Sequence, residues 1–155
     1  MMLRRVMVGA LVFLWAGLAQ AEEGDFPKNL YVAPAEVKSW QGQGRQVFFL
    51  DVREADEFEA GHLPGAKNIL WTEVASLIRQ LPTDRPIVTY CIHSAHRAPE
   101  AAKTLRKLGF PNVYVLEGGI VAWQAGGLTL HASDIAKAPA ILPVQERCKA
   151  AAKKT

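Results

Sequence analysis

Cysteine is nearly absent: Cys91 and Cys148 are the only two in 155 residues. A disulfide-built scaffold is thereby excluded, and a single Cys91–Cys148 bond would lock a reactive sulfur rather than staple a fold. An excess of one charge is lacking too. The 18 Lys and Arg residues face 15 Asp and Glu, and two of the basic ones, Arg4 and Arg5, sit at the extreme N-terminus. Without those two, one net positive charge is left, spread along the chain. That balance gives no footprint for nucleic acid or an anionic membrane surface. No apolar run reaches the ~20 residues of a comfortable transmembrane helix; residues 6–19 come nearest. Internal repeats are missing. His93 and His96 stand close to Cys91, but their spacing matches no standard zinc pattern, so no metal site is expected.

The N-terminus reads as a targeting segment. Arg4 and Arg5 precede the uncharged run 6–19, and Ala19-Gln20-Ala21 supplies small residues for cleavage just before acidic Glu22 and Glu23. The expectation is a signal peptide over residues 1–21, export, and a mature chain that is not membrane-attached. The 134 residues from Glu22 to Thr155 suffice for one domain with a core. From about residue 130 onward, alanine, lysine and proline without clear periodicity predict a loosely ordered tail over 130–155, with a weak apolar cluster at Ile141 and Leu142.

Between those ends, short apolar runs alternate with helical patterns. Residues 34–40 open like a helix with Pro34 in its first turn, and 47–52 form an apolar run that reads as a buried strand. Residues 55–60 predict a short acidic helix stopped by Gly61, and 66–70 another strand. Glu73, Val74, Leu77, Ile78 and Leu81 have helical spacing, which predicts a helix from a Thr72 cap to Gln80, ended by Pro82. A strand over 86–90 follows. Next comes a helix over 99–108, with Ala101, Ala102, Leu105 and Leu108 on its apolar face and Gly109 as its stop. Residues 112–116 predict the last strand and 120–124 the last helical stretch. Strands and helices on short connections imply an α/β fold, a parallel sheet covered on both faces.

Cys91 closes the 86–90 strand and opens CIHSAHR, residues 91–97. A strand end fixes the sulfur, and a following helix N-terminus adds partial positive charge. None of residues 92–97 is proline, so Ile92, His93, Ser94, Ala95, His96 and Arg97 each bring an N–H to an anion-binding nest. Surroundings of this kind favour a thiolate nucleophile. Ligands in open parallel sheets bind outside the carboxyl ends of the strands, where Cys91 lies and where Asp51 and Arg53 follow another strand. Asp51 and Arg53 are expected to pair internally rather than to catalyse. Trp40, Trp71 and Trp123 suit packing on the sheet faces, and His62, Pro64, Gly65, Gly118 and Gly119 suit chain-shaping turns.

At these residues the chain resembles a rhodanese-like domain. LDVR at 50–53, Glu57-Phe58 and GHLPGAKNI at 61–69 match the first family signature. VYVLEGG at 113–119 with Ala122-Trp123 matches the closing one, and Cys91 falls at the family's active cysteine. The likeness covers about residues 30–128, and the folded unit is accordingly expected over 22–129. It implies a single domain with a five-stranded parallel sheet flanked by helices on both faces. It further implies a sulfurtransferase cycle with catalytic Cys91, no metal and no organic cofactor. A small anionic sulfur donor such as thiosulfate would load a persulfide, and cyanide or a thiol would unload it. With the export signal, the chain is similar to the small periplasmic rhodaneses of the phage-shock type.

One departure keeps other chemistries open. Arg97 lies one residue later than in the usual rhodanese loop, and Ser94 stands where glycine is common. Cys-x5-Arg is the loop of the related Cdc25-type phosphatases and arsenate reductases. An extra residue adds up to ~3.5 Å of contour, and Arg97 could clamp oxyanion oxygens bidentately while Cys91 attacks. A third reading is a module that carries sulfur or an oxyanion without fast turnover.

Overall fold

A computed structural model describes residues 26–132. The signal peptide expected over 1–21, Cys148, Ile141 and Leu142 lie outside the described residues. Nine elements follow one another: β1 (Tyr31–Val32), α1 (Pro34–Gly42), β2 (Phe48–Asp51), α2 (Ala55–Ala60), β3 (Lys67–Asn68), β4 (Ile87–Tyr90), α3 (Arg97–Lys107), β5 (Val113–Leu116) and α4 (Gly119–Ala125). The strands form one parallel five-stranded sheet in the order β1-β5-β4-β2-β3, with helices on both faces.

Strand alternation decides the layers. Leu50, Ile87, Val113 and Val115 point to one face, where Ala101, Ala102 and Leu105 of α3 cover them together with Val74 and Leu81. Phe49, Val88, Tyr90 and Leu116 point to the other, under Val37 of α1 and Ile120 and Trp123 of α4. All four residues of β4 are buried, as expected for a strand flanked on both sides and covered on both faces. Trp123 meets Phe49 edge-on at 5.4 Å and Trp40 meets Tyr114 at 5.2 Å, so both pack on a sheet face as their sequence positions suggest.

The strand order also fixes where a ligand can enter. From β2 the chain moves outward to β3, whereas from β4 it moves the opposite way to β5. The two exits diverge between β2 and β4, which is the switch point where open α/β sheets leave a crevice. Arg53 follows the first of these strands and Cys91 the second.

Three local expectations need correction. Residues 72–80 are not an α-helix. They form successive turns and a 3-10 turn at Ile78–Gln80, held mainly by bonds three residues apart such as Ser76 to Glu73 and Leu81 to Ile78. The Trp71 N–H is tied to the Val52 carbonyl and Pro82 ends the stretch, and between them the backbone closes three-residue turns in place of an α-helical ladder. The helix after the loop starts at Arg97 rather than Pro99, so Pro99 falls in its first turn, where a missing N–H costs nothing. Leu108 is 46 % exposed, because α3 ends at Lys107. There the Phe110 N–H bonds the Leu105 carbonyl and the Gly109 N–H the Arg106 carbonyl, a Schellman closure that turns Phe110, not Leu108, into the core. At the C-terminal end of the described residues, Leu130 packs on the α4 face, and His131 forms an antiparallel bridge with His62.

Candidate active site

β4 delivers Cys91 to the switch point and α3 begins at Arg97, which leaves residues 91–96 as a loop between them. Cys91 is 5 % exposed, at the base of that loop. Three of the loop's carbonyls are anchored: that of Cys91 accepts from Ile120 N–H (3.0 Å), that of Ile92 from Val121 N–H (3.2 Å), and that of His96 from Glu100 N–H (3.1 Å). Its amides are not. From Ile92 to Arg97, no backbone N–H donates to an acceptor among the described residues. Six uncommitted donors thus follow Cys91 in the chain and lead into the N-terminus of an eleven-residue helix, the type of setting in which proteins bind anions.

Ser94 makes the turn possible and is strained by it. Its φ of +52° is the only non-glycine value in the left-handed region among the described residues, a conformation that costs an L-residue about 1–2 kcal/mol. The buried Ser94 hydroxyl partly offsets this by accepting from the Cys91 N–H at 3.5 Å. Below the loop, the Thr89 hydroxyl lies 3.1 Å from the Ala98 carbonyl and 3.2 Å from that of Tyr114, tying the first turn of α3 to the sheet.

Two ion pairs frame the loop. Arg97 reaches Glu57 of α2 through both terminal nitrogens, at 2.7 and 3.3 Å. Burial is the largest influence and opposes the Arg97 charge, but the Glu57 bond and attraction to Glu57, Cys91 and Asp51 together hold its pKa above the ordinary value. Glu57 is pushed the other way: burial raises it, and Arg97, Arg53 and the Glu54 N–H together more than reverse that, leaving it below the usual carboxylate range. Asp51 and Arg53 form the expected internal pair, with Arg53 Nε 2.9 Å from Asp51 Oδ1 and Nη2 2.7 Å from the Gly61 carbonyl. Burial and the neighbouring Asp51 raise the Tyr90 hydroxyl far above its usual range, so it stays protonated while accepting from the Leu63 N–H.

The seven residues singled out in the sequence therefore divide. Cys91 and Ser94 are buried at the centre, Ile92 and His93 half-buried, and Ala95 and His96 exposed at the rim. The His96 ring stands edge-on to Trp71 at 5.6 Å, so Trp71 belongs to the rim as well as to the sheet face. Arg97 points to Glu57. Sequence reading missed three positioning residues: Glu57, Thr89 and Gly119. Glu57 had a local signal, as the third residue of the α2 capping box opened by Glu54. Gly119 was read as a turn shaper, yet a Cβ there would lie 2.3 Å from the Cys91 carbonyl and 2.5 Å from that of Ile92. Only glycine lets α4 approach the loop this closely. Among the described residues no three His, Cys, Asp or Glu side chains converge as metal ligands, and no helix is long and apolar enough to cross a membrane.

Comparison with known proteins agrees with this architecture. Residues 33–126, more than half of the chain, match the rhodanese-like domain family. YqhL of Bacillus subtilis is 42 % identical over 79 residues, 51 % of this chain and 62 % of that protein, so the chain spans a little under two thirds of it. Thiosulfate sulfurtransferase GlpE of Shewanella oneidensis is 37 % identical over 82 residues, covering 53 % of this chain and 80 % of that one. The solved rhodanese-like domain of an Anabaena protein superposes with a TM-score of 0.62 at 28 % identity, covering 72 % of this chain and 85 % of that one.

Proposed function

The chain belongs to the rhodanese-like domain family, and from that footing we propose that it is an exported sulfurtransferase working through a Cys91 persulfide. The observation that carries the reading is the run of uncommitted amides from Ile92 to Arg97 beside the Cys91 sulfur. The Cys91 thiolate attacks the outer sulfur of thiosulfate or a similar donor. The sulfur–sulfur bond of the donor breaks, sulfite leaves with its electron pair, and the sulfane sulfur stays on Cys91 as a persulfide anion. Uncommitted backbone donors of the loop that turn to this anion lower its energy, the logic of an oxyanion hole. Cyanide or a thiolate then attacks the outer sulfur and returns the electron pair to Cys91.

Arg97 bears on the oxyanion alternative. A phosphatase or arsenate reductase would need that guanidinium for substrate oxygens, whereas both terminal nitrogens here engage Glu57. The pair favours sulfur transfer, with Arg97 as a positioning residue at the start of α3. Export to the periplasm rests on the N-terminal pattern of residues 1–21.

Intact mass tests the reading. Purified protein given thiosulfate should gain one sulfur atom, lose it to cyanide, and gain none when Cys91 is replaced by Ser. A chain that stays unmodified but hydrolyses an aryl phosphate or reduces arsenate would replace this function with oxyanion chemistry. Persulfide formation with negligible turnover would make the protein a sulfur carrier.

A further inference from the structure

The Arg97 side chain already holds an anion, and that anion belongs to the protein. Arg97 Nη1 donates to Glu57 Oε2 at 2.7 Å, and Nη2 to Oε1 at 3.3 Å. This paired, planar contact is also the one by which a guanidinium takes two oxygens of a phosphate-like ion. The Glu57 carboxylate therefore occupies the fork that a tetrahedral oxyanion would need.

Glu57 is held in this place from its own side as well. Its Oε2 accepts from the Glu54 N–H at 3.3 Å, one half of the α2 capping box. Both side chains of the pair are largely buried, so water screens it little. Arg97 nevertheless belongs to the site: it opens α3 directly after the loop, and Cys91 is among the groups that favour its charge. The other guanidinium at the switch point is matched too, because Arg53 is held by Asp51 and by the Gly61 carbonyl. A sulfur donor meets Cys91 through its outer sulfur, whereas a phosphate-like ion must bring its oxygens into the loop. To reach a guanidinium there, such an ion would have to expel a mostly buried carboxylate from its cap.

We propose that Glu57 decides which anions the Cys91 loop accepts: it fills the Arg97 fork as an internal anion and keeps phosphate-like oxyanions out. The inference rests on the sulfur-transfer reading of the site, in which Arg97 positions the start of α3 and does not touch substrate. It adds that the Cys-x5-Arg loop carries a latent oxyanion site, closed by one carboxylate forty positions away in the chain. Loop length alone does not open that site, because the arginine it supplies is already bonded.

Inorganic phosphate is the probe, and its binding is read as protection of Cys91 from alkylation by iodoacetamide, followed on the Cys91 peptide by mass spectrometry. This readout does not depend on sulfur transfer. In full-length Glu57→Gln, half-protection should need about tenfold less phosphate than in wild type, the effect of freeing one charge-assisted fork. Glu57→Asp keeps the charge but shortens the reach, and should give a smaller gain in the same direction. A double variant, Glu57→Gln with Arg97→Gln, should bind phosphate no better than wild type, because the gain belongs to the guanidinium and not to a loosened loop. Equal protection of wild type and both Glu57 variants, or a gain that survives in the double variant, would overturn the inference. Sulfur uptake from thiosulfate, measured by intact mass on the same samples, tests the underlying reading separately. Wild-type protein that takes up no sulfur removes that reading, and the phosphate comparison by itself then decides the role of Glu57.

Discussion

Cys91, Ser94 and Gly119 share one mechanical problem, which is to turn the chain from β4 into α3 with six amides left uncommitted while the Cys91, Ile92 and His96 carbonyls stay bonded. Ser94 meets it by adopting φ +52°. Replacing Ser94 by Val puts a β-branched residue in a conformation it strongly resists. We expect a loss of about 1–2 kcal/mol in urea unfolding, together with slower persulfide formation. Ser94→Gly should match or exceed wild-type stability, because glycine occupies this region freely; a less stable Gly variant would mean that the hydroxyl bond to the Cys91 N–H matters more than the strain. Gly119 is the stricter position. A methyl group there collides with the backbone of Cys91 and Ile92, which cannot swing aside as a side chain could. Gly119→Ala should cost about 2–3 kcal/mol, as overpacking and forced backbone strain do. Sulfur uptake from thiosulfate should fall at least tenfold although Cys91 is intact. Wild-type melting and uptake in this variant would show that α4 does not set the loop.

At the level of elements, α2 and α3 are held together across the site by Glu57 and Arg97. Glu57 also accepts from the Glu54 N–H at 3.3 Å, so the start of α2 and the start of α3 are anchored through one carboxylate. Losing one partner of a fully buried pair costs about 3–5 kcal/mol. This pair is partly open to solvent, with side chains 19 % and 10 % exposed, so Glu57→Gln should cost about 1–2 kcal/mol at pH 7 once screening is allowed for. The sign with pH is fixed by the lowered Glu57 pKa. Its ionised form stabilises the fold above the ordinary carboxylate range, and that contribution disappears as pH falls through the lower folded value. Wild type and Glu57→Gln should therefore converge in stability as unfolding is followed from pH 7 toward pH 3; a constant gap would assign the loss to packing. Elements also show where sequence periodicity misleads. The spacing of Val74, Leu77, Ile78 and Leu81 is helical and they do face the core, yet turns seat them equally well. Periodicity reports which side chains are buried, not which backbone bonds form.

For the molecule as a whole, the sheet order makes the site. Two strands whose chains leave in opposite directions open the gap that the Cys91 loop fills, and α1, α3 and α4 close the faces around it. The proposed export is a whole-chain property as well. Expressed in a bacterium and fractionated, the protein should be recovered from the periplasm with Glu22 as its first residue; a cytoplasmic product retaining residues 1–21 would rule this out. The sequence by itself determined the class of the fold and the place of Cys91 at the end of a buried strand. Apolar runs, turn residues and a proline-free stretch after Cys91 are local, and short-range sterics and burial decide them. Only the tertiary structure decided that Arg97 faces Glu57 across forty positions and that Gly119 is wedged against the Cys91 carbonyl. Each of these joins residues far apart in the chain, and no periodicity records which distant side chains a particular sheet order and helix packing bring within reach of one another.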